Sequence, residues 1–212
     1  MARDYRAGSG LERQGHLGAG GSEDREHYCA QVTEDDFWAL VERCRTGSGE
    51  DLRELVRLLE RRVSALSPRE ILSFSDHWYA ASDRALKWPV WDAACVLLGW
   101  VIDDSFADFR AWLISRGRVW FEAVVEDPDN LADLADELLA TQWAVAEQLD
   151  GIARWVAYEA ATGEFPPQGR ADALDSRTPR GERIDLADNR AVREHFPRLY
   201  ELRQLARDEG AP

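Results

Sequence analysis

An all-α single domain is the architecture this sequence predicts, and three observations carry that expectation. Apolar residues recur at helical spacing along most of residues 33–163, cap residues stand in front of those stripes, and no segment alternates with the period of a strand. Hydrophobic residues make up 45% of the 212, with nine Trp, enough to fill one core. Composition divides the chain into three parts. Residues 1–32 mix Gly with charge and show no apolar period, which predicts a disordered or mis-assigned leader, with Val32, read from a GTG codon, as the expected initiator. Residues 33–163 are the expected helical core, and residues 164–212 a loop followed by a loosely docked helical tail.

Each element has its own signal. Thr33 with Asp36 forms an acidic capping box ahead of the stripe Phe37, Leu40, Val41 and Cys44. Gly47 is expected to end that helix and Ser48 to open the next, which aligns Leu52, Leu55, Val56, Leu59 and Val63. Ser67-Pro68-Arg69-Glu70 combines a cap, a first-turn proline and a reciprocal glutamate, and predicts a helix burying Ile71, Phe74 and Trp78. Pro89 starts a strongly apolar helix that ends near Gly99 and is expected at the centre of the core. Asp104 or Ser105 is the expected cap of the next helix, which presents Phe106, Phe109, Trp112 and Leu113 and stops at Gly117. A short helix over 119–125 follows. After the turn Asp127-Pro128-Asp129, one long helix or two is expected over 130–161, with a break at Asp150-Gly151 and a buried stripe Leu138, Val145, Leu149, Ile152 and Val156. Residues 197–207 form a last amphipathic piece.

Charge narrows the partners. The net charge is −14, which disfavours nucleic acid. Residues 119–153 hold nine carboxylates and no Lys or Arg. No apolar run is long enough to span a membrane, and the three cysteines, Cys29, Cys44 and Cys95, lack CxxC spacing, so a reducing cytoplasm is the expected location. Lys87 is the single lysine, a skew towards arginine that reflects a GC-rich genome rather than a binding signal.

The densest chemistry lies in Asp103-Asp104-Ser105-Phe106-Ala107-Asp108-Phe109-Arg110-Ala111-Trp112-Leu113-Ile114. This stretch, with Gly117, Asp36-Phe37-Trp38, Asp127-Pro128-Asp129 and the ending Phe196-Pro197-Arg198-Leu199, resembles the bacterial domain-of-unknown-function family 4240. The resemblance implies a small helical cytosolic protein and no particular activity. Where that family commonly shows two glycines and a Ser before its Asp pair, this chain has Trp100-Val101-Ile102. The aspartates are also similar to the DDxxD motif of class I isoprenoid synthases, in which carboxylates hold Mg²⁺. No second metal motif accompanies them, and helix capping is the plainer account of Asp104 and Asp108. Neither a metal nor a cofactor is expected.

Arg110 beside Trp112 is the candidate fork for a carboxylate or phosphate, so Asp103, Asp104, Asp108, Arg110 and Trp112 form one candidate ligand site. The plainer account has Arg110 satisfied by its own aspartates or by helix C-terminal carbonyls. His77 lacks a Ser or Cys partner, Cys95 reads as an inert core thiol, and no catalytic set is expected. Most Trp, including Trp155, fall on expected inner faces, whereas Trp38 and Trp88 are candidates for exposure. The preferred function is a non-catalytic protein-binding or regulatory module of immunity or adaptor type. It would engage a basic protein or peptide through an acidic surface that includes Asp129, Asp133, Asp136 and Glu137. The alternative is an enzyme or binding protein for a phosphorylated or carboxylated small molecule, acting through the Asp103, Asp104, Asp108 and Arg110 cluster.

Overall fold

The computed structural model of the chain describes residues 31–49, 51–99, 101–167 and 177–208. What the sequence predicts for residues 1–30 lies outside them. The described residues are all-α: α1 (Glu34–Ser48), α2 (Leu52–Val63), α3 (Pro68–Ala85), α4 (Trp88–Leu98), α5 (Asp103–Ser115) and α6 (Arg118–Glu126) lead into a 3₁₀ segment (Pro128–Leu134). Then come α7 (Ala135–Leu139), α8 (Trp143–Ala146), α9 (Gln148–Gly151), a π-helical segment (Ile152–Ala157) and α10 (Tyr158–Thr162). Two helices of the C-terminal segment, α11 (Asn189–His195) and α12 (Pro197–Asp208), complete the fold.

Cap chemistry decides where these helices start. Both boxes form as expected: Thr33 accepts from the Asp36 N–H at 3.2 Å, and Asp36 accepts from the Thr33 N–H at 3.1 Å. Glu70 accepts from the Ser67 N–H at 2.9 Å, and Ser67 from the Glu70 N–H at 3.4 Å. Two starts differ from expectation. α1 continues through Ser48 and ends at Gly49 with φ 57°, and Asp51 opens α2 by accepting from the N–H groups of Arg53 and Glu54. A carboxylate that satisfies two first-turn donors outcompetes the Ser48 hydroxyl. α5 begins earlier than expected, because the Phe106 N–H already donates to the Ile102 carbonyl at 2.8 Å. Ile102 therefore takes the cap position without a side-chain bond, and Asp103 and Asp104 sit in the first turn, facing the positive end of the helix dipole.

The centre of the core is α5 rather than α4. From Phe109 to Ser115 every side chain is buried, with α1, α3, α6, α8 and α9 packed around the helix. Phe106, Phe109 and Trp112 continue an aromatic column that begins on α4: Trp88 stacks on Trp91 at 5.2 Å, Trp91 on Phe106 at 4.4 Å, Phe106 on Phe109 at 5.9 Å, and Phe109 meets Trp112 at 5.8 Å. α4 reads as apolar all round because the 3₁₀ segment, α7 and α12 cover it.

The C-terminal segment is anchored firmly rather than loosely. Asp92, wholly buried on α4, accepts from Arg183 Nε at 3.1 Å and from the Ile184 N–H at 2.9 Å. Asp129, buried in the 3₁₀ segment, accepts from the N–H groups of Arg198 and Leu199 at 3.0 Å each, capping α12 from a distant part of the chain. Arg198 also donates to Asp133 at 3.0 Å.

The long helix expected over 130–161 is broken. The 3₁₀ turns follow the Asp127 cap, α7 ends at Ala140, and the rod restarts at Trp143. Within that rod, the π-helical segment adds a residue to one turn and moves the buried face along by one position. Leu149 and Ile152 are buried as expected, but the next inward residue is Ala157, at 0% exposure, in place of Val156 at 45%.

The Asp129 contacts generate a test. Asp129→Ala leaves the α12 N-terminus uncapped and should lower stability by about 1–2 kcal/mol in a denaturant titration. It should also speed proteolytic cleavage within residues 177–208. Unchanged stability and cleavage would show that Asp129 does not hold this segment.

Candidate functional site

The two sequence-predicted sites fare differently in the fold. Asp103 and Asp104 are exposed on the first turn of α5, and Asp108 is half-buried one turn later. Arg110 is buried on another side of the helix. Its Nη1 donates to the Ser82 carbonyl at 3.2 Å and the Ser82 hydroxyl at 2.9 Å, and the guanidinium lies 5.3 Å from the Phe106 ring centroid. Arg110 thus ties α5 to the last turn of α3. Trp112 is buried at the foot of the aromatic column. Asp103 and Asp104 thus face solvent, Asp108 faces the acids of α9, Arg110 reaches α3 and Trp112 lies in the core.

Of the acidic surface residues, Asp129 and Asp133 are engaged by Arg198 and the start of α12. Glu137 accepts from Arg116 Nη1 at 2.8 Å, while Asp136 is exposed. Asp136, Glu137, Trp112, Arg116, Arg53 and Gln142 share a cleft of about 590 Å³. Four of its polar side chains, Arg53, Gln142, Arg116 and Glu137, already serve one another in pairs. Arg116 lies 5.3 Å from the Trp112 ring and bonds Ser115 and Glu137, and Arg53 donates to Gln142 Oε1 at 3.1 and 2.7 Å. The acidic stretch without cations of its own draws them from distant parts of the chain.

Carboxylates concentrate instead where α5 meets α9. Burial, and then the charges of Glu147, Asp150 and Asp104, push the Asp108 carboxyl above the ordinary aspartate value. Asp150 accepts from Trp78 Nε1 at 3.1 Å, which fixes one end of the group. Among the described residues no three His, Cys, Asp or Glu side chains are arranged to hold a metal ion. His77, half-buried, lies 2.8 Å from the Val32 carbonyl through Nε2, and the thiols of Cys44 and Cys95 are buried and pushed upward by that burial.

Beside these acids lies a surface the sequence does not predict. The π-helical segment turns Trp155, at 46% exposure, and Val156 to solvent, and Phe165, at 74%, meets Trp155 edge-on with centroids 6.2 Å apart. A Cβ built on Gly151 would lie 3.7 Å from Trp155 Cδ1, so the indole lies over the turn that follows Asp150. Glu159, four residues on in the chain, and Glu164, which precedes Phe165, are exposed. Nothing in the local sequence, Arg154-Trp155-Val156, marks this surface. Trp38, a candidate for exposure, is buried against Phe37 and Phe121, whereas Trp88 is half-buried.

Asp108 supplies a test with a definite sign. Its carboxyl is raised in the fold, so the charged form burdens the native state at neutral pH and the burden lifts as the group protonates in acid. Asp108→Asn should therefore be more stable than the parent at pH 7, by a few tenths of a kcal/mol per relieved neighbour. That advantage should vanish below about pH 4, the ordinary carboxylate value. Urea titrations at both pH values measure it.

Among the described residues no helix is long and apolar enough to cross a membrane. No curated protein and no solved structure matches the chain. A family model described as a protein of unknown function, DUF4240, matches residues 32–160. The matched span opens at Val32, whose carbonyl also accepts from the Ser73 hydroxyl at 2.9 Å, and closes within α10, so it holds the whole aromatic column and both faces of the acidic cluster. With more than half of its length in that match, the chain belongs to the DUF4240 family of proteins of unknown function.

Proposed function

We propose that the chain is a non-catalytic binding module, of adaptor or regulatory type, that takes a basic and amphipathic segment of another protein. The observation that carries this reading is that the carboxylates Asp104, Asp108 and Glu147 gather where α5 meets α9, while the exposed apolar group Trp155, Val156 and Phe165 is centred on the π-helical segment that continues α9. Clustered like charge costs stability, and a cationic partner relieves that cost while accelerating encounter. Exposed aromatics supply what charge lacks, namely buried area and a geometric anchor. The docking surface thus lies at Asp104, Asp108, Glu147 and the π-helical segment, rather than at Asp129 and Asp133, which serve α12.

The test uses two synthetic helical peptides of equal positive charge, one with a Leu-rich face and one with that face replaced by Ser and Gln. The amphipathic peptide should bind the full chain with an affinity that falls steeply with salt, and the polar peptide should bind at least about tenfold more weakly. Asp104→Asn combined with Glu147→Gln should slow association, whereas Trp155→Ser should speed dissociation. Equal binding of the two peptides, or binding indifferent to both sets of substitutions, would reject the proposal.

A further inference from the structure

A second cleft, of about 560 Å³, has the opposite character. It opens where the ends of α3 and α6 meet the segment before α11, and Arg84, Lys87, Glu122, Val125, Glu126 and Arg180 line it. Three cations gather here in a chain whose net charge is −14. Glu122 is already held by Arg118 Nε at 3.0 Å. Arg84 lies 3.7 Å from Glu34 and 3.8 Å from Glu122, too far for a well-formed hydrogen bond, and its guanidinium rests 5.3 Å from the Phe121 ring centroid. Lys87 donates to the Val125 carbonyl at 2.9 Å and forms no ion pair within 4.0 Å among the described residues. An ammonium carries three donors, so two remain for another acceptor.

The cations are held together by backbone. The Arg180 N–H donates to the Leu86 carbonyl at 3.0 Å, and the Arg180 carbonyl accepts from the Trp88 N–H at 2.8 Å, which brackets Lys87 in a short bridge. Gly181 then turns with φ 85° against Pro89, where an added Cβ would lie 3.2 Å from the proline Cδ, so the bridge is shaped for glycine. Burial, and then Arg180 and Arg84, push the Lys87 ammonium below the ordinary lysine value, outweighing the opposite pull of Glu126. Lys87 thus stands half-buried beside two like charges, which a bound anion would relieve.

We propose that Arg84, Lys87 and Arg180 form an oxyanion site that takes a phosphate dianion, either free or as a small phosphomonoester. Arg180 Nη2 donates to the Asp83 carbonyl and its Nη1 lies 3.7 Å from the Asp83 carboxylate, so what the two guanidiniums and the ammonium offer together is compact positive charge with donors to spare, a combination suited to the several oxygens and double charge of a phosphoryl group. Arg180 lies outside the span matched by the family, so the site is completed by this chain's C-terminal segment.

The single lysine makes the test specific. An amine-acylating reagent applied to the full chain modifies Lys87 and the α-amino group, which separate on different peptides in mass spectrometry. Inorganic phosphate and glycerol phosphate are each compared with chloride at matched ionic strength. The expected result is acylation of Lys87 slowed at least about tenfold by one or both phosphates. Protection by phosphate alone assigns the free anion, and protection by glycerol phosphate alone assigns a phosphorylated small molecule. Arg180→Gln and Arg84→Gln, each checked for helical content, should abolish the protection. Equal acylation in phosphate and chloride, or protection that persists in both folded variants, would overturn the proposal.

Discussion

The column Trp88–Trp91–Phe106–Phe109–Trp112 is the contact on which the other features of this fold depend. It joins α4 to α5 through the 4.4 Å stack of Trp91 on Phe106 and fixes the rotation of α5 about its own axis. With Phe106, Phe109 and Trp112 committed inward, Asp104 and Asp108 must look towards α9, and Arg110 must reach the end of α3. Cations line the column along its length. Arg183 lies 4.8 Å from the Trp88 ring, Arg110 5.3 Å from Phe106, and Arg116 5.3 Å from Trp112. Each guanidinium gains a ring face while its remaining donors bind Asp92, Ser82 or Glu137, which is how the buried Arg110 and Arg116 are accommodated without an orphaned charge.

Carboxylates complement that column from outside. Asp92 and Asp129 accept backbone N–H groups of the C-terminal segment, so the two polar side chains that look least suited to burial hold α11 and α12 in place. This explains the apolar character of α4. A helix covered on one side by the core and on the other by α12 carries no solvent face, and its sequence cannot show which of the two covers is central.

Helix starts with reciprocal caps were legible, because Thr33–Asp36 and Ser67–Glu70 are local chemistry that needs no tertiary partner. The inward set Phe106, Phe109, Trp112 was legible for the same reason: its spacing holds in any α-helix. The exposed face at Trp155 was not. One added residue in the turn from Ile152 to Ala157 exchanges Ala157 for Val156 in the core, and a stripe written for 3.6 residues per turn carries no mark of that exchange. The acidic stretch misled in a related way. Sequence shows nine carboxylates and no cation within residues 119–153, whereas the fold supplies Arg198 to Asp133 from 65 residues away and Arg116 to Glu137, and only the pair of Arg118 with Glu122 is local. The lone Lys87, which composition explains as genomic bias, gains its significance only when Arg180 is folded beside it.

These relations converge on one claim, that the π-helical turn creates a solvent-facing tryptophan next to a repelling acidic cluster. Indole N–H resonances of ¹⁵N-tryptophan-labelled protein test it most directly, with Trp155 assigned by its loss in Trp155→Phe and a soluble paramagnetic agent added to report solvent access. The account predicts strong broadening of the Trp155 signal while Trp78 and Trp112 stay sharp. A Trp155 signal as protected as that of Trp112 would contradict it.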